Sequence, residues 1–378
     1  FILIENFYPA YKGGGPIQSI TNLILSLDDS CQVYVITSAY DLQSKSIMPN
    51  IIPDTWNSIL LPQSKKSICI WYGNKGKPSY SVFKKMVHLK KPHIVYLNGI
   101  YSYNLFLLPL LVIKNLSAKY KLIISPRGML QKGSLSDKSF KKKIYLKALN
   151  FFGLVTNVVW HATNNEEEND IKKIFDKNSE VIVAANFTKK PLSDYVVPIK
   201  LSGSLNLIYL SLITEKKNLL LLLQLIKCTE NITLDIYGPI KDKAYWNECQ
   251  KLVHEMDYKI KYRGDILPVE VQNTFSKYHA SILLTKGENF GHALYESLSV
   301  GRPIITSNYT PWNDLENKKA GWNLNISDFS QCIIQLNKIK GLDQAEFSSF
   351  CDGAYQLAND YYKKSNNIEN YKKLFSIN

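Results

Sequence analysis

Two glutamates, Glu288 and Glu296, stand eight positions apart around a glycine-bearing turn. Paired carboxylates can act as a general acid and base, as in glycoside hydrolysis, where the carboxyl groups lie ~5 to 9.5 Å apart. Eight positions of helix would separate these two by roughly 12 Å. That spacing better suits two carboxylates that accept hydrogen bonds from hydroxyl groups at different ends of one ligand. The structural alternative is that Glu288 favours a helix start and Glu296 is a solvated helical residue.

The residues around this pair predict a strand, a loop and a helix. The run from Ala280 to Leu284 has strand length and composition, and His292 to Val300 predicts a helix that Gly301 and Pro303 end. Parallel sheets bind ligands beyond the carboxyl ends of their strands, and the free N–H groups of a helix start favour an anion such as a phosphate. The predicted ligand contacts here are Asn289, Phe290, Gly291 and His292. A local capping role is the alternative for the histidine.

The stretch from Glu288 to Gly291, Glu296 and the run Gly301 to Ser307 followed by Pro311-Trp312 resembles the retaining glycosyltransferases of the large bacterial family 4. Weaker motifs follow in the family's order, so the resemblance covers nearly the whole chain. It implies the GT-B fold and transfer that retains anomeric configuration without a metal or cofactor. It also implies that Glu288 binds and orients the donor sugar as the catalytic residue, and that Glu296 binds the ribose hydroxyls.

Relatives usually carry an arginine and a lysine that hold the donor diphosphate after the first strand of the second domain. Lys217 matches the lysine, but Leu212 stands at the position of the arginine. Lys216 and Arg127 are the candidate substitutes. The family also holds the sugar and the base at two later strand ends, which correspond here to Gly238 and Gly264.

A second group of candidate residues lies in the first half of the chain, where the family binds the acceptor. The glycines Gly13, Gly14 and Gly15 separate a predicted strand from a helix and let backbone N–H groups approach a bulky or anionic ligand. A flexible turn is the alternative. Asn98 replaces a histidine that many relatives place near the reacting sugar. Arg127 lies in a glycine-bearing turn, where its guanidinium group suits phosphate oxygens of acceptor or donor, unless it is a surface arginine.

The composition predicts an ordered protein of two domains. The 378 residues are 45% hydrophobic, and six scattered cysteines without metal-binding spacing indicate reduced thiols. The net charge of +14 is uneven: residues 1–190 hold 25 Lys and Arg against 12 Asp and Glu, whereas residues 191–378 hold 21 against 20. A basic first half attracts polyanions, so an anionic membrane surface or a nucleic acid is a candidate partner.

The segment from Lys132 to Phe152 alternates apolar residues at spacings of three and four with lysines, which predicts a basic amphipathic helix. Such a helix can rest on anionic lipid, and an ordinary solvated helix is the alternative. Nucleic acid is the less favoured partner, because no helix-turn-helix, RNA-recognition or zinc pattern accompanies the lysines. The lysines concerned are Lys132, Lys138, Lys141, Lys142, Lys143 and Lys147.

Strands and helices alternate along the chain, which predicts two Rossmann-like, doubly wound α/β domains. The predicted boundaries are an acceptor-binding domain over residues 1–190, a linker over 191–204, a nucleotide-sugar domain over 205–353, and a helical segment over 354–378 that packs on the first domain. His161 is not assigned to catalysis, because the residues after it predict a helix start capped by Thr163 or Asn164. Because Phe1 lies inside a predicted strand, we expect residues to precede it.

These features together predict a cytoplasmic glycosyltransferase. It would move a sugar from a UDP- or GDP-sugar to a saccharide acceptor, which a lipid anchor would hold at the inner face of the cell membrane during bacterial surface-polysaccharide synthesis. Two other classes stay open. A nucleotide-sugar epimerase would convert the donor without an acceptor. A degenerate nucleotide- or membrane-binding module, which Leu212 and Asn98 favour, would show no turnover.

Overall fold

A computed structural model describes residues 1–28, 30–62, 64–116, 120–131, 139–365 and 368–376. They divide into two compact units: Thr188–Lys364 form the second unit, and the other described residues form the first. The predicted linker, residues 191–204, therefore belongs to the second unit. The predicted terminal segment, residues 354–378, is divided, with residues up to Lys364 in the second unit and the described residues from Ser365 onward in the first.

The first unit is built on an eight-stranded sheet in the order β3-β4-β2-β1-β5-β6-β7-β8. All neighbours are parallel except β3, which pairs antiparallel with β4 at one edge. Its strands are β1 (Ile2–Leu3), β2 (Tyr34–Ser38), β3 (Trp56–Leu60), β4 (Ser67–Gly73), β5 (Ile94–Asn98), β6 (Lys121–Ser125), β7 (Val159–Ala162) and β8 (Val181–Val183).

Apolar residues on the central strands fill two cores, one on each face of this sheet. Leu3 and Leu97 pack in one core, whereas Ile2 and Tyr96 pack in the other. Burial on both faces explains the continuous apolar runs of these strands, and it is typical of a parallel sheet covered by helices. The helices of this unit are α1 (Gly15–Ser26), α2 (Tyr80–Lys90), α3 (Leu108–Lys114), α4 (Ser139–Phe151), α5 (Asn165–Ile174) and a terminal helix over Ile368–Phe375.

The second unit contains a six-stranded, fully parallel sheet in the order β11-β10-β9-β12-β13-β14. Its strands are β9 (Leu205–Leu210), β10 (Ile232–Tyr237), β11 (Ile260–Gly264), β12 (Ala280–Leu283), β13 (Ile304–Ser307) and β14 (Gly321–Leu324). Its helices are α6 (Leu219–Lys227), α7 (Lys243–Glu255), α8 (Val271–Phe275), α9 (His292–Leu298), α10 (Phe329–Gly341) and α11 (Gln344–Ser365). The strand order reverses beside β9, so the carboxyl ends of β9 and β12 lie next to each other.

Most predicted elements are present with shifted ends, and three predictions were wrong in detail. The antiparallel edge strand β3 was not predicted. The apolar composition of residues 155–160 predicts a strand, which begins only at Val159, because Asn157 has a left-handed backbone (φ 53°) and residues 153–157 form turns. The helix predicted over Ala354–Leu374 is two helices, α11 and the terminal Ile368–Phe375, which becomes α12.

The basic amphipathic helix is present as α4, and Lys132 and Lys138 lie outside the described residues. Its buried side carries Leu146 and Leu149. Phe140, Ile144 and Phe151 are 75%, 51% and 85% exposed, and they form one apolar stripe because residues four and seven apart share a helix face. Within the described parts of the chain, no helix is both long and apolar enough to cross a membrane.

Candidate functional site

In the second unit, the ends of β9 and β12 bring a carboxylate and an ammonium group together. Lys217 ends the 3-10 turn Glu215–Lys217 that follows β9, and Glu288 lies in the loop between β12 and α9. Lys217 donates a hydrogen bond to the Glu288 carboxylate and forms an ion pair with it. Both side chains are 17% exposed, so the pair is largely shielded from water while one side of it stays accessible.

Backbone hydrogen bonds fasten these two loops to each other. The Lys286 N–H donates to the Lys216 carbonyl at 2.8 Å, and the Glu288 N–H donates to the Tyr309 carbonyl at 2.9 Å. The Asn218 side chain donates to the Leu284 carbonyl at 3.0 Å. The position of Glu288 relative to Lys217 is therefore set by three strand ends and not by the two side chains alone.

The ionisation of Glu288 depends on the two lysines. Burial is the largest single influence and would raise its pKa, but Lys217, Lys216 and the Asn289 N–H together hold the pKa of this carboxyl below its ordinary value. Lys216 approaches the same loop, because a Cβ atom added to Gly287 would lie 3.4 Å from the Lys216 Cε. Glu288 is thus a carboxylate at neutral pH, between two cationic side chains.

Glu296 lies in α9 and is 4% exposed, so it is a buried charge and not the solvated helical residue of the structural alternative. Its Oε1 atom lies 3.9 Å from the Lys189 Nζ atom. The Lys189 ammonium group also donates to the Pro268 carbonyl at 3.2 Å. Lys189 was not predicted as a site residue. No local sequence signal pointed to it, because it lies 107 positions before Glu296 in the chain.

Three other predicted residues of this loop, Phe290, Gly291 and His292, are closely packed. Phe290 is buried against Trp312, whose indole N–H donates to the Phe290 carbonyl at 2.6 Å. His292 begins α9 and packs edge-on against Phe290, with ring centroids 4.7 Å apart. Gly291 precedes the helix in a left-handed conformation, and a Cβ atom there would lie 3.1 Å from the Glu288 Cγ. A side chain at Gly291 would therefore be strained and would crowd Glu288.

Gly238 directly follows β10, and Gly264 is the last residue of the neighbouring strand β11. A Cβ atom at Gly238 would lie 2.1 Å from the Ser211 carbonyl oxygen, so the glycine allows the chain after β9 to pass close by. Gly264 has φ 81° and open space around its Cα, and its carbonyl accepts from the Gly238 N–H at 2.9 Å. Both glycines thus shape the loop that leads to Leu212, which is half-buried, and on to Lys217.

In the first unit, Arg127 lies at the centre of a polar network. Its Nε atom donates to Asn98 Oδ1 at 3.0 Å, Nη1 to Asn186 Oδ1 at 2.7 Å and Nη2 to the Tyr96 hydroxyl at 2.8 Å. These partners come from β5 and from the segment after β8, so the network joins the carboxyl ends of β5, β6 and β8. Arg127 is therefore not a simple surface residue.

His161 contacts this network through the Tyr96 hydroxyl and is fully buried. Burial, with a smaller contribution from Arg127, lowers its pKa to about 3, so the imidazole is neutral. One ring nitrogen contacts the Ala184 carbonyl at 2.8 Å and the other contacts the Tyr96 hydroxyl at 2.5 Å. A neutral ring has one donor, which the Ala184 carbonyl requires, so the Tyr96 hydroxyl donates to Nδ1. The predicted cap of the next helix is Asn164, which accepts from the Glu167 N–H.

The glycine loop lies beside these strand ends. Gly14 precedes α1 with φ 74° and has no atom within 4 Å of a Cβ position, whereas Gly13 is close to Asn6 and Gly15 begins the helix. Asn98 links β5 to the β1 carboxyl end, since its amide donates to the Leu3 carbonyl at 3.4 Å. Gly13, Gly14, Gly15, Asn98 and Arg127 thus lie along one edge of the first sheet.

Comparison with known proteins gives a partial sequence match and a full-length structural likeness. A family described as "Glycosyl transferases group 1" matches residues 200–325. A search of curated proteins finds no match. Sucrose-phosphate synthase from Thermosynechococcus elongatus is similar in structure with a TM-score of 0.70 and 14% identity, over 96% of this chain and 94% of that one.

Two further solved structures have the same architecture. HepE of Anabaena, in complex with UDP and glucose, has a TM-score of 0.70 and 13% identity over 100% of this chain and 99% of that one. WaaG, a glycosyltransferase involved in lipopolysaccharide biosynthesis, has a TM-score of 0.66 and 10% identity, over 97% of this chain and 98% of that one. The predicted GT-B fold is thereby confirmed, and the family match to the second unit supports a glycosyltransferase.

Proposed function

We propose that this protein transfers a sugar from a UDP- or GDP-sugar to a saccharide acceptor, with retention of configuration and without a metal ion. The observation that carries the proposal is the ion pair between Glu288 and Lys217 at the carboxyl ends of β9 and β12. It lies inside residues 200–325, the region that matches the glycosyltransferase family. The nucleotide and sugar named in the HepE complex are the ligand class proposed here.

The chemistry follows from the charges around the pair. A nucleoside diphosphate leaves as an anion, and preorganised cations stabilise the charge that develops on it. In this proposal Lys217 and Lys216 contact the diphosphate, which compensates for Leu212 at the usual arginine position. Glu288, kept ionised by the lysines, accepts hydrogen bonds from the donor sugar and orients it. The buried carboxylate of Glu296 accepts from the ribose hydroxyls.

We further propose that the acceptor is held at a membrane and that the protein is cytoplasmic and binds the inner face peripherally, as part of surface-polysaccharide synthesis. The support is α4, where the apolar stripe of Phe140, Ile144 and Phe151 is exposed beside Lys143 and Lys147. Apolar side chains that insert among lipids, flanked by lysines that contact anionic headgroups, are typical of interfacial helices.

Thermal unfolding with UDP and with GDP, each alone and as its common sugar conjugates, tests donor binding. A ligand at a hundred times its dissociation constant adds ~2.7 kcal/mol to the free energy of unfolding, which appears as a raised melting temperature. We expect one nucleotide to stabilise the protein and Glu296→Ala to abolish that effect. The matched control is Glu215→Ala, which removes an exposed carboxylate from the adjacent loop and should leave stabilisation intact.

The outcomes separate the proposed activity from its alternatives. Stabilisation by neither nucleotide would contradict donor binding and would favour a degenerate module. Stabilisation without turnover, in the presence of saccharide and lipid-linked acceptors, would also contradict transfer. Conversion of the sugar nucleotide with no acceptor present would indicate an epimerase. Product in which the transferred sugar has inverted configuration would contradict retention.

A further inference from the structure

Among the residues that the structure describes, only neutral oxygen atoms hold the guanidinium group of Arg127. Its described acceptors are the amide oxygens of Asn98 and Asn186 and the hydroxyl of Tyr96. A guanidinium group has five N–H donors, and these contacts use three. Within the described residues, one N–H on each of Nη1 and Nη2 has no protein acceptor, and these two N–H groups belong to the fork that binds an oxyanion in bidentate geometry.

The charge of Arg127 is also not balanced by a carboxylate in the described part of the chain. The neighbouring acid Glu167 accepts from other donors, and none of its described hydrogen bonds comes from Arg127. Oε1 accepts from the Gly128 N–H at 2.6 Å, and Oε2 accepts from the Thr163 N–H and hydroxyl at 2.8 and 2.7 Å. Behind the guanidinium group, His161 is neutral. Because burying an uncompensated charge is costly, a half-buried cation without a described counter-ion would be stabilised by an anionic ligand.

The backbone favours the same interpretation. Arg127 has φ 54°, a left-handed conformation that a residue with a Cβ atom adopts at a cost. Strained positions persist where the surrounding structure over-determines them, and they cluster at ligand sites. In this conformation the side chain contacts Asn98 at the carboxyl end of β5, and open parallel sheets bind their ligands beyond such strand ends.

We propose that Arg127 binds an anionic group of the acceptor, either a phosphate or a sugar carboxylate. This inference rests on the proposed function, since it assigns the acceptor to a chemical class. Asn98, Asn186 and Tyr96 act as positioning residues that fix the plane of the guanidinium group. The acceptor is thereby an acidic saccharide or a saccharide carried on a phosphate or diphosphate.

The test is calorimetric titration of the full chain with inorganic pyrophosphate and with glucuronate. It is carried out on the double variant Lys216→Ala/Lys217→Ala, so that neither lysine of the proposed donor-diphosphate site contributes. In that background we expect one of the two anions to bind and Arg127→Gly to weaken its affinity roughly 10- to 100-fold, because charge-assisted hydrogen bonds are lost. Glycine is chosen because it tolerates the left-handed conformation. Lys84→Ala, which removes an exposed lysine of α2, is the matched control and should bind as its parent variant does.

Each result either supports or overturns the proposal. Preference for pyrophosphate identifies a phosphate-bearing acceptor, and preference for glucuronate identifies an acidic sugar. Binding of neither anion, or equal affinity after Arg127→Gly, overturns it. If the glycine variant does not fold, Arg127→Lys is tested in its place. Lysine keeps the charge but not the planar guanidinium group, so this variant should still bind the anion more weakly. UDP stabilisation of Arg127→Gly with Lys216 and Lys217 intact is measured separately, so failure of donor binding is recognised as failure of the proposed function.

Discussion

Glu288 is the residue whose chemistry depends most on one neighbour. Its burial favours the neutral acid, and Lys217 is the strongest of the groups that reverse this preference. We expect Lys217→Met to raise the pKa of Glu288, because the desolvation remains while the main compensating charge is gone. The variant should also lose about 2 kcal/mol of stability at neutral pH, since a shielded carboxylate is left without its ion-pair partner.

The pH dependence gives this prediction its sign. A carboxyl whose pKa is lowered by folding adds stability above its unfolded pKa, and that stability is lost as the pH falls through the folded value. In the wild type, titration of Glu288 should therefore change the melting temperature only in the acid range. In Lys217→Met the same change should occur at higher pH, because the pKa of Glu288 is raised. Lys216→Met is the control and should shift the acid transition less. Identical acid transitions in the wild type and Lys217→Met would contradict the assignment.

Individual site residues could be predicted from spacing and residue type, but their partners could not. Lys217 and Glu288 are 71 positions apart, and they meet because β9 and β12 are neighbours in the sheet. That neighbourhood is a property of strand order, which local patterns do not contain. For the same reason Lys189 beside Glu296, and Asn186 beside Arg127, were not identified as site residues.

At the level of elements, the turns after β10 and β11 place different demands on their glycines. Gly238 faces the Ser211 carbonyl so closely that any Cβ atom must displace the chain, whereas Gly264 has a left-handed backbone but open space. We expect Gly264→Ala to cost about 1 to 2 kcal/mol of stability, from backbone strain alone. Gly238→Ala should cost more than this and should also weaken nucleotide binding, because the displaced segment leads to Lys217.

Urea unfolding of the two alanine variants, together with UDP or GDP stabilisation, measures both effects. Gly264→Ala is the matched control, since it changes the same residue type at the next strand end. Equal loss of stability in the two variants would show that the clash with Ser211 is relieved cheaply. Unchanged nucleotide binding in Gly238→Ala would show that the loop does not transmit the displacement to the lysine.

The elements themselves were largely predictable, because strands buried on both faces are continuous apolar runs. β9, Leu205–Leu210, begins at residue 205, which is the predicted start of the nucleotide-sugar domain. The prediction of strands failed where the apolar residues of a segment did not show whether it forms a strand. The edge strand β3 includes exposed Leu60 and half-buried Trp56, so it lacks the apolar signal of a central strand. The segment before Val159 has strand composition, but a left-handed Asn157 makes it a turn.

For the molecule as a whole, the excess positive charge lies in residues 1–190. Phe151, the most exposed large apolar side chain among the described residues, lies on α4 in the same region. Lysines near an anionic surface contribute about 1 kcal/mol each, and salt screens that attraction, whereas insertion of an aromatic ring is not screened. The two contributions to membrane binding should therefore separate with ionic strength.

Co-sedimentation with vesicles of phosphatidylglycerol and phosphatidylcholine, compared with phosphatidylcholine alone, measures this separation. We expect strong binding to the anionic vesicles at low salt and weaker binding that persists at high salt. In the double variant Phe140→Ser/Phe151→Ser, the affinity that persists at high salt should fall roughly tenfold or more, because burying each ring contributes about 1.5 to 3 kcal/mol. Tyr258→Ser removes a comparably exposed aromatic ring from the second unit and should bind as the wild type does. Negligible binding to anionic vesicles at low salt would contradict a membrane-held acceptor. Unchanged binding of the double variant at high salt would show that α4 does not insert.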